Sequence, residues 1–362
     1  MENIRKDFPI LNTCVYLNTA TSGLLSRSLL DWRHQHDRSF FEEGSAMKVR
    51  AMMGLIPETR STIAHFFSCK TDNVALTPNF SLGMNLLLDG LDKKHKVLLL
   101  EEDYPSVNWP FEKRGFQIDY VEIDEHLEEK IYKEVKSKKI SILALSIVQW
   151  LDGIQVDLDF LKNLKKEFPD LCIIADGTQF LGISDFDFEA SAIDVLGTST
   201  YKWLLSGYGN GFFLFKNRAK ELFSVSSLGF NSVSGDLSRK GKVEFAKHLE
   251  PGHLDTFNFG SLKFSLESMK RIGMHTIEDQ NRRLRKKAMD ELGGLGLLKE
   301  SILNRKNHGN ILNILGDERC FQELTYNGIV CAQRGDGIRL SFHYYNNEND
   351  IETVINVLKT RA

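Results

Sequence analysis

Through the first two-thirds of the chain, short apolar runs alternate with amphipathic ones, and that alternation restricts the fold more than any other feature. The apolar runs are VALTP at 74–78, KVLLLEED at 96–103, QIDYVEID at 117–124, ISILALSIV at 140–148, LCIIADG at 171–177, DVLGTST at 194–200 and GFFLFK at 211–216. Stretches such as LDFLKNLKKEFPD lie between them with apolar residues at helical spacing. Strand-length runs without a polar alternate face are buried on both sides, which predicts an α/β fold with a mostly parallel seven-stranded sheet between helices. The last run follows its predecessor through SGYGNG, too short for a crossover helix, so it is predicted antiparallel. From 263 onward the texture shifts to charged helical stretches, LKFSLESMKRIG and DQNRRLRKKAMDELGGLG, then YNGIVCAQRG, DGIRLSFHYYN and the amphipathic NDIETVINVLKTRA. These predict a smaller α+β domain of residues 1–13 and 263–362 beside a large domain of 14–262.

Composition removes several function classes. The 362 residues carry a formal charge of −3 with 42% hydrophobic and 26% charged content, which gives neither nucleic acid nor a membrane surface an electrostatic handle. The start, MENIRKDFPI, has no apolar leader and no run is long enough to span a bilayer, so the cytoplasm is the expected location. The five cysteines, at 14, 69, 172, 320 and 331, form no CxxC pair and are odd in number. Neither a disulfide framework nor a zinc site is expected. His34 and His36 sit close together without a metal-binding spacing, and no metal is expected. The cluster NRRLRKK reads as a solvated helix face ahead of an anion site.

Asp176 closes the run LCIIADG, and Lys202 follows 26 positions later (202 − 176) in STYKW. Ligands of an open α/β sheet collect outside the carboxyl ends of its strands, where Asp176 falls. Alone, an Asp ending a strand is a turn former and a Lys after a strand is a solvated charge. Together they are the minimum equipment for pyridoxal phosphate: a lysine to form a Schiff base and move a proton, and a carboxylate to pair with the pyridinium nitrogen.

With these motifs the chain resembles the class V aminotransferase family of fold-type-I pyridoxal phosphate enzymes, from VYLNTATSGLLS to IRLSFHYYNNENDI, most specifically at ADGTQ and STYKW. The resemblance implies a phosphate loop at Asn79, Phe80 and Ser81 in LTPNFSLGMNLLL, where backbone N–H groups of a helix start suit a dianion. The family more often has Gly-Thr-Thr there. It further implies that Ser199 and Tyr201 contact the phosphate and that Gln179 lies near the phenolic oxygen, with Gln149 beside the same ring edge. Tyr104, in preference to Trp109, would stack on the ring through its π face. Arg339 would clamp the substrate α-carboxylate bidentately. A homodimer is implied, with the active site at the interface and Thr256 reaching the partner's phosphate.

The family contains aminotransferases, desulfurases, lyases and epimerases. Cys331 stands only eight residues before Arg339 (339 − 331), in a run that reads as strand and tight turn, so it is expected to be structural and not a persulfide carrier. Chemistry at Cα of an amino acid or amine remains. An aminotransferase is the leading expectation, with a lyase, desulfurase or epimerase as the alternative and a non-catalytic binding or regulatory module as the reading from another class. A dinucleotide enzyme would need GxGxxG opening a helix, and the glycines of SGYGNG precede a strand.

Overall fold

The computed structural model describes residues 2–360. Its strands are β1 (Val15–Tyr16), β2 (Val74–Thr77), β3 (Lys96–Leu100), β4 (Gln117–Val121), β5 (Ile142–Ser146), β6 (Cys172–Asp176), β7 (Val195–Ser199), β8 (Gly211–Phe215), β9 (Ile311–Leu315), β10 (Ile329–Val330), β11 (Ala332–Arg334) and β12 (Gly337–Ser341). Seven of them form one sheet in the order β2-β8-β7-β6-β5-β3-β4. Only β8 opposes its neighbours, running antiparallel to both β2 and β7, as the short SGYGNG connection dictates.

The sheet is buried because its strands feed two cores. In β5, Leu143 and Leu145 enter one apolar cluster while Ile142 and Ala144 enter the other. In β6, Ile173 and Ala175 divide from Cys172 and Ile174 in the same way. Each fully buried Leu or Ile contributes about 2 kcal/mol, so neither face of these strands tolerates the polar alternation of a one-sided sheet. The strands stop before the sequence runs do. β3 ends at Leu100 because Glu102 turns the chain with a φ of +57°, and Asp103 then accepts Tyr104 N–H at 2.6 Å.

Crossover helices start where the sequence offers caps. Asn79 accepts the Leu82 N–H to open Phe80–Leu88, and Asp157 accepts from Asp159 and Phe160 to open Leu158–Glu167. The helix Thr256–Ile272 runs unbroken past residue 263. Beyond it, helices Met274–Gly294, Glu318–Tyr326 and Glu348–Lys359 enclose a third apolar cluster against the antiparallel sheet β11-β12-β9. β1 pairs in parallel with β10, which ties the N-terminal segment to the C-terminal region. Among the described residues no helix is long and apolar enough to cross a membrane.

Candidate active site

The segments that follow β2, β3, β6 and β7 converge on one cavity of about 420 Å³ at the carboxyl edge of the sheet. Asp176 ends β6, Ser199 ends β7, and Lys202 lies three residues further in the loop that returns to β8. Both ionisable groups are buried, at 5% exposure for Asp176 and 6% for Lys202. Burial pushes the Asp176 carboxyl up, against the Thr178 N–H that it accepts at 2.8 Å and the nearby Lys202 charge. Burial holds the Lys202 amine below its ordinary proton affinity, opposed by Asp176 and reinforced by Arg339. Two aromatic rings flank that amine, with centroids 5.5 Å away at Tyr104 and 5.7 Å at Tyr201. Tyr201 is stacked in turn on Tyr208 at 4.5 Å. Burial, with Tyr104 next, raises the Tyr201 phenol to about 12, so it stays a neutral donor.

The opposite end of the cavity is a helix start. Phe80 N–H donates to Ser199 Oγ at 3.0 Å, Asn79 caps Leu82, and Ser81 Oγ meets Ser106 Oγ at 2.7 Å. The first turn of a helix and the hydroxyls of Ser81 and Ser199 thus line one end of the cavity, an arrangement suited to a phosphate. Thr178 joins this set by accepting Ser199 N–H at 3.0 Å.

The lysine loop is fixed from below. Gly23 N–H donates to Tyr201 O at 2.9 Å, and a Cβ on Gly23 would fall 2.0 Å from Lys202 O. Trp203 Nε1 donates to Gln179 Oε1 at 2.7 Å, and His343 Nε2 meets Trp203 O at 2.9 Å. Thr200, Ser206 and Asn210 bond to one another inside the loop, and Asn210 Nδ2 reaches Asn258 O at 2.6 Å.

Of the twelve residues expected from sequence, Asn79, Phe80, Ser81, Tyr104, Asp176, Ser199, Tyr201 and Lys202 line this cavity. Gln179 is buried beneath it, its amide engaged by Trp203 and by Ala20 O at 3.0 Å. Gln149 lines a neighbouring cavity. Arg339 is 3% exposed and donates to Trp150 O and Thr21 Oγ1, each at 2.7 Å, with no carboxylate partner among the described residues. Burial, with Arg334 next, lowers it to about 10. Thr256 Oγ1 meets His36 Nε2 at 3.1 Å, and Trp109 is 64% exposed. None of the five cysteines lines the cavity. Pro78, Thr178, Tyr208 and Gly209 complete the lining without having been expected. Thr178 was the legible one, since it stands within ADGTQ; Tyr208 and Gly209 belong to a loop whose path the sequence leaves open.

These residues fit pyridoxal phosphate: an amine and a carboxylate share one buried cavity, aromatic faces lie over it, and an anion-binding helix start closes it. The Aminotransferase class-V family model matches residues 15–354. A probable cysteine desulfurase of Pyrococcus abyssi is 21% identical, covering 99% of this chain and 96% of its own. An uncharacterized aminotransferase of Bacillus subtilis, YcbU, is 22% identical over 100% and 98%. The apo cysteine desulfurase of Thermococcus onnurineus superposes with a TM-score of 0.86 at 19% identity, covering 99% and 97% of the two chains. The cystine C–S lyase C-DES in complex with cysteine persulfide gives 0.86 at 19% identity, covering 97% and 98%. The fold is therefore that of the type-I pyridoxal phosphate enzymes, and the chain belongs to the class V aminotransferase family.

Proposed function

We propose that this protein is a pyridoxal-phosphate-dependent lyase that breaks the carbon–sulfur bond of an amino acid by direct elimination. This departs from the aminotransferase that the sequence put first. The desulfurase and lyase names among the relatives and structural neighbours support the change. One observation carries the choice of direct elimination: the Lys202 amine faces the cavity and no cysteine does. Cys331 is 9% exposed, its thiol raised to about 12 by burial, and it sits among the apolar side chains packed against β12. A protonated thiol there cannot act as a sulfur acceptor.

When bound, pyridoxal phosphate supplies a ring that withdraws electrons from the substrate Cα. Asp176 keeps the ring nitrogen protonated, which reverses the burial cost of its own carboxylate. Arg339 fixes the α-carboxylate, and that partner completes a buried guanidinium. The Lys202 amine, with lowered proton affinity, takes the Cα proton. The Cβ–S bond then breaks with its electron pair leaving on sulfur, which gains a proton. Net, L-cysteine and water give pyruvate, ammonia and hydrogen sulfide. The reading includes a homodimer, supported by exposed Phe40, Phe41, Val49 and Met53 on consecutive helical segments.

The test is product analysis. Pyruvate and sulfide formed in equal amounts, undiminished in Cys331→Ala, are expected. Alanine with sulfane sulfur, or amino-group transfer to a 2-oxo acid, would overturn the reading.

A further inference from the structure

Glu101, Glu102, Glu122, Asp124 and Asp152 surround a second cavity, of about 390 Å³, beyond the carboxyl ends of β3, β4 and β5. It adjoins the Lys202 cavity. Trp150 lines it, the Tyr104 ring meets Trp150 edge-on at 5.9 Å, and the same Tyr104 ring faces Lys202 Nζ at 5.5 Å. Arg339 bonds Trp150 O at 2.7 Å, so the guanidinium assigned to the α-carboxylate is joined to the wall of the acidic cavity.

The charge in this cavity is not balanced. Lys130 serves Glu122 at 2.8 Å and Asp124 at 2.5 Å, and Arg305 is committed to Glu128 at 2.6 Å. Among the described residues Glu101 and Glu102 have no ion-pair partner, while the Lys299 and Arg305 charges act on Asp152. Asp152 accepts Ile154 N–H at 3.0 Å, and burial pushes its carboxyl up. Gln149 gives a second, independent sign. It is 2% exposed, its Nε2 donates to Ser146 O at 3.2 Å, and its Oε1 has no partner. Buried acceptors are seldom left unsatisfied, so an N–H donor is missing from this place. An amide oxygen without a partner beside carboxylates suits the N–H donors of an organic cation.

We propose that the acidic cavity is a subsite for a cationic group, an ammonium or guanidinium, at the far end of the amino-acid substrate. This rests on the reading of the Lys202 cavity as the amino-acid site. With the lyase reading it adds to L-cysteine the sulfur amino acids that carry a second amino group beyond the sulfur, from which breakage of the Cβ–S bond releases the remainder of the chain as a thiol in place of sulfide.

L-Lysine and L-norleucine have the same chain length and differ in an ammonium against a methyl group. Titrating the holoenzyme with each and following cofactor absorbance requires no turnover. L-Lysine is expected to bind about tenfold or more tightly than L-norleucine. In Glu102→Gln/Asp152→Asn the ratio is expected to fall to about one with L-norleucine unchanged. In the unaltered enzyme the lysine preference alone is expected to shrink with added salt. Equal affinities, or a preference for L-norleucine, would overturn the subsite while leaving the amino-acid site standing. Failure of every amino acid to perturb the cofactor would remove both.

Discussion

Lys202 Nζ stands 5.5 Å from the centroid of the Tyr104 ring, although the two residues come from loops after β7 and β3, which are separated in the sheet by β6 and β5. The amine therefore has an aromatic face on one side and the Asp176 carboxylate among its nearest charges. Everything ascribed to the cavity depends on that convergence.

Replacing Asp176 by Asn removes the charge that keeps a bound ring nitrogen protonated but leaves the side chain's volume. Turnover is expected to fall about 10²- to 10³-fold while the cofactor remains bound. Steady-state kinetics beside the cofactor absorbance spectrum separates the two effects; an unchanged kcat would remove Asp176 from the chemistry.

Arg339→Lys keeps the positive charge and loses the planar fork. The KM for the amino acid is expected to rise about 10- to 100-fold, with little change in cofactor content. An unaltered KM would reduce Arg339 to a structural tie between Trp150 and Thr21.

Gly23→Ala places a methyl group against the carbonyl of Lys202, which backbone cannot yield cheaply. A loss of about 1 to 3 kcal/mol is expected, together with weaker cofactor retention because the displaced segment carries the lysine. Thermal unfolding of the apo and holo forms checks both; a wild-type melting curve would show that the close approach is relaxed in solution.

His343 is completely buried and held neutral, its pKa lowered from 6.5 to about 3 by burial. A depressed folded-state value means that stability is present above pH 6.5 and is lost as the pH falls toward 3, because the unfolded chain binds the proton first. In chemical denaturation at stepped pH, the decline in this window is expected to be shallower in His343→Gln than in the parent. Parallel curves would place the acid sensitivity elsewhere.

Much of the sheet was legible because its strands are buried on both faces, so apolar runs such as ILALS and CIIAD mark themselves without alternation. The antiparallel return of β8 followed from a connection too short to cross over. The cavity residues that sequence identified sit at strand ends, within three residues after β7, or at the start of a helix, positions set by local pattern. Those it did not identify depend on long-range packing. Gly23 reaches Lys202 from an N-terminal segment whose strand pairs with β10, and Gln179, which the sequence did identify, turns toward Trp203 because the indole N–H needs an acceptor in the core. The acidic cavity was hidden for the same reason, since its carboxylates lie after three different strands.

The central claim is a cofactor tethered to one amine. Borohydride treatment of the purified holoenzyme followed by peptide mapping is expected to place the reduced pyridoxyl group on Lys202, with no fixed group in Lys202→Ala. A label on another lysine, or an unaltered label in Lys202→Ala, would contradict the account.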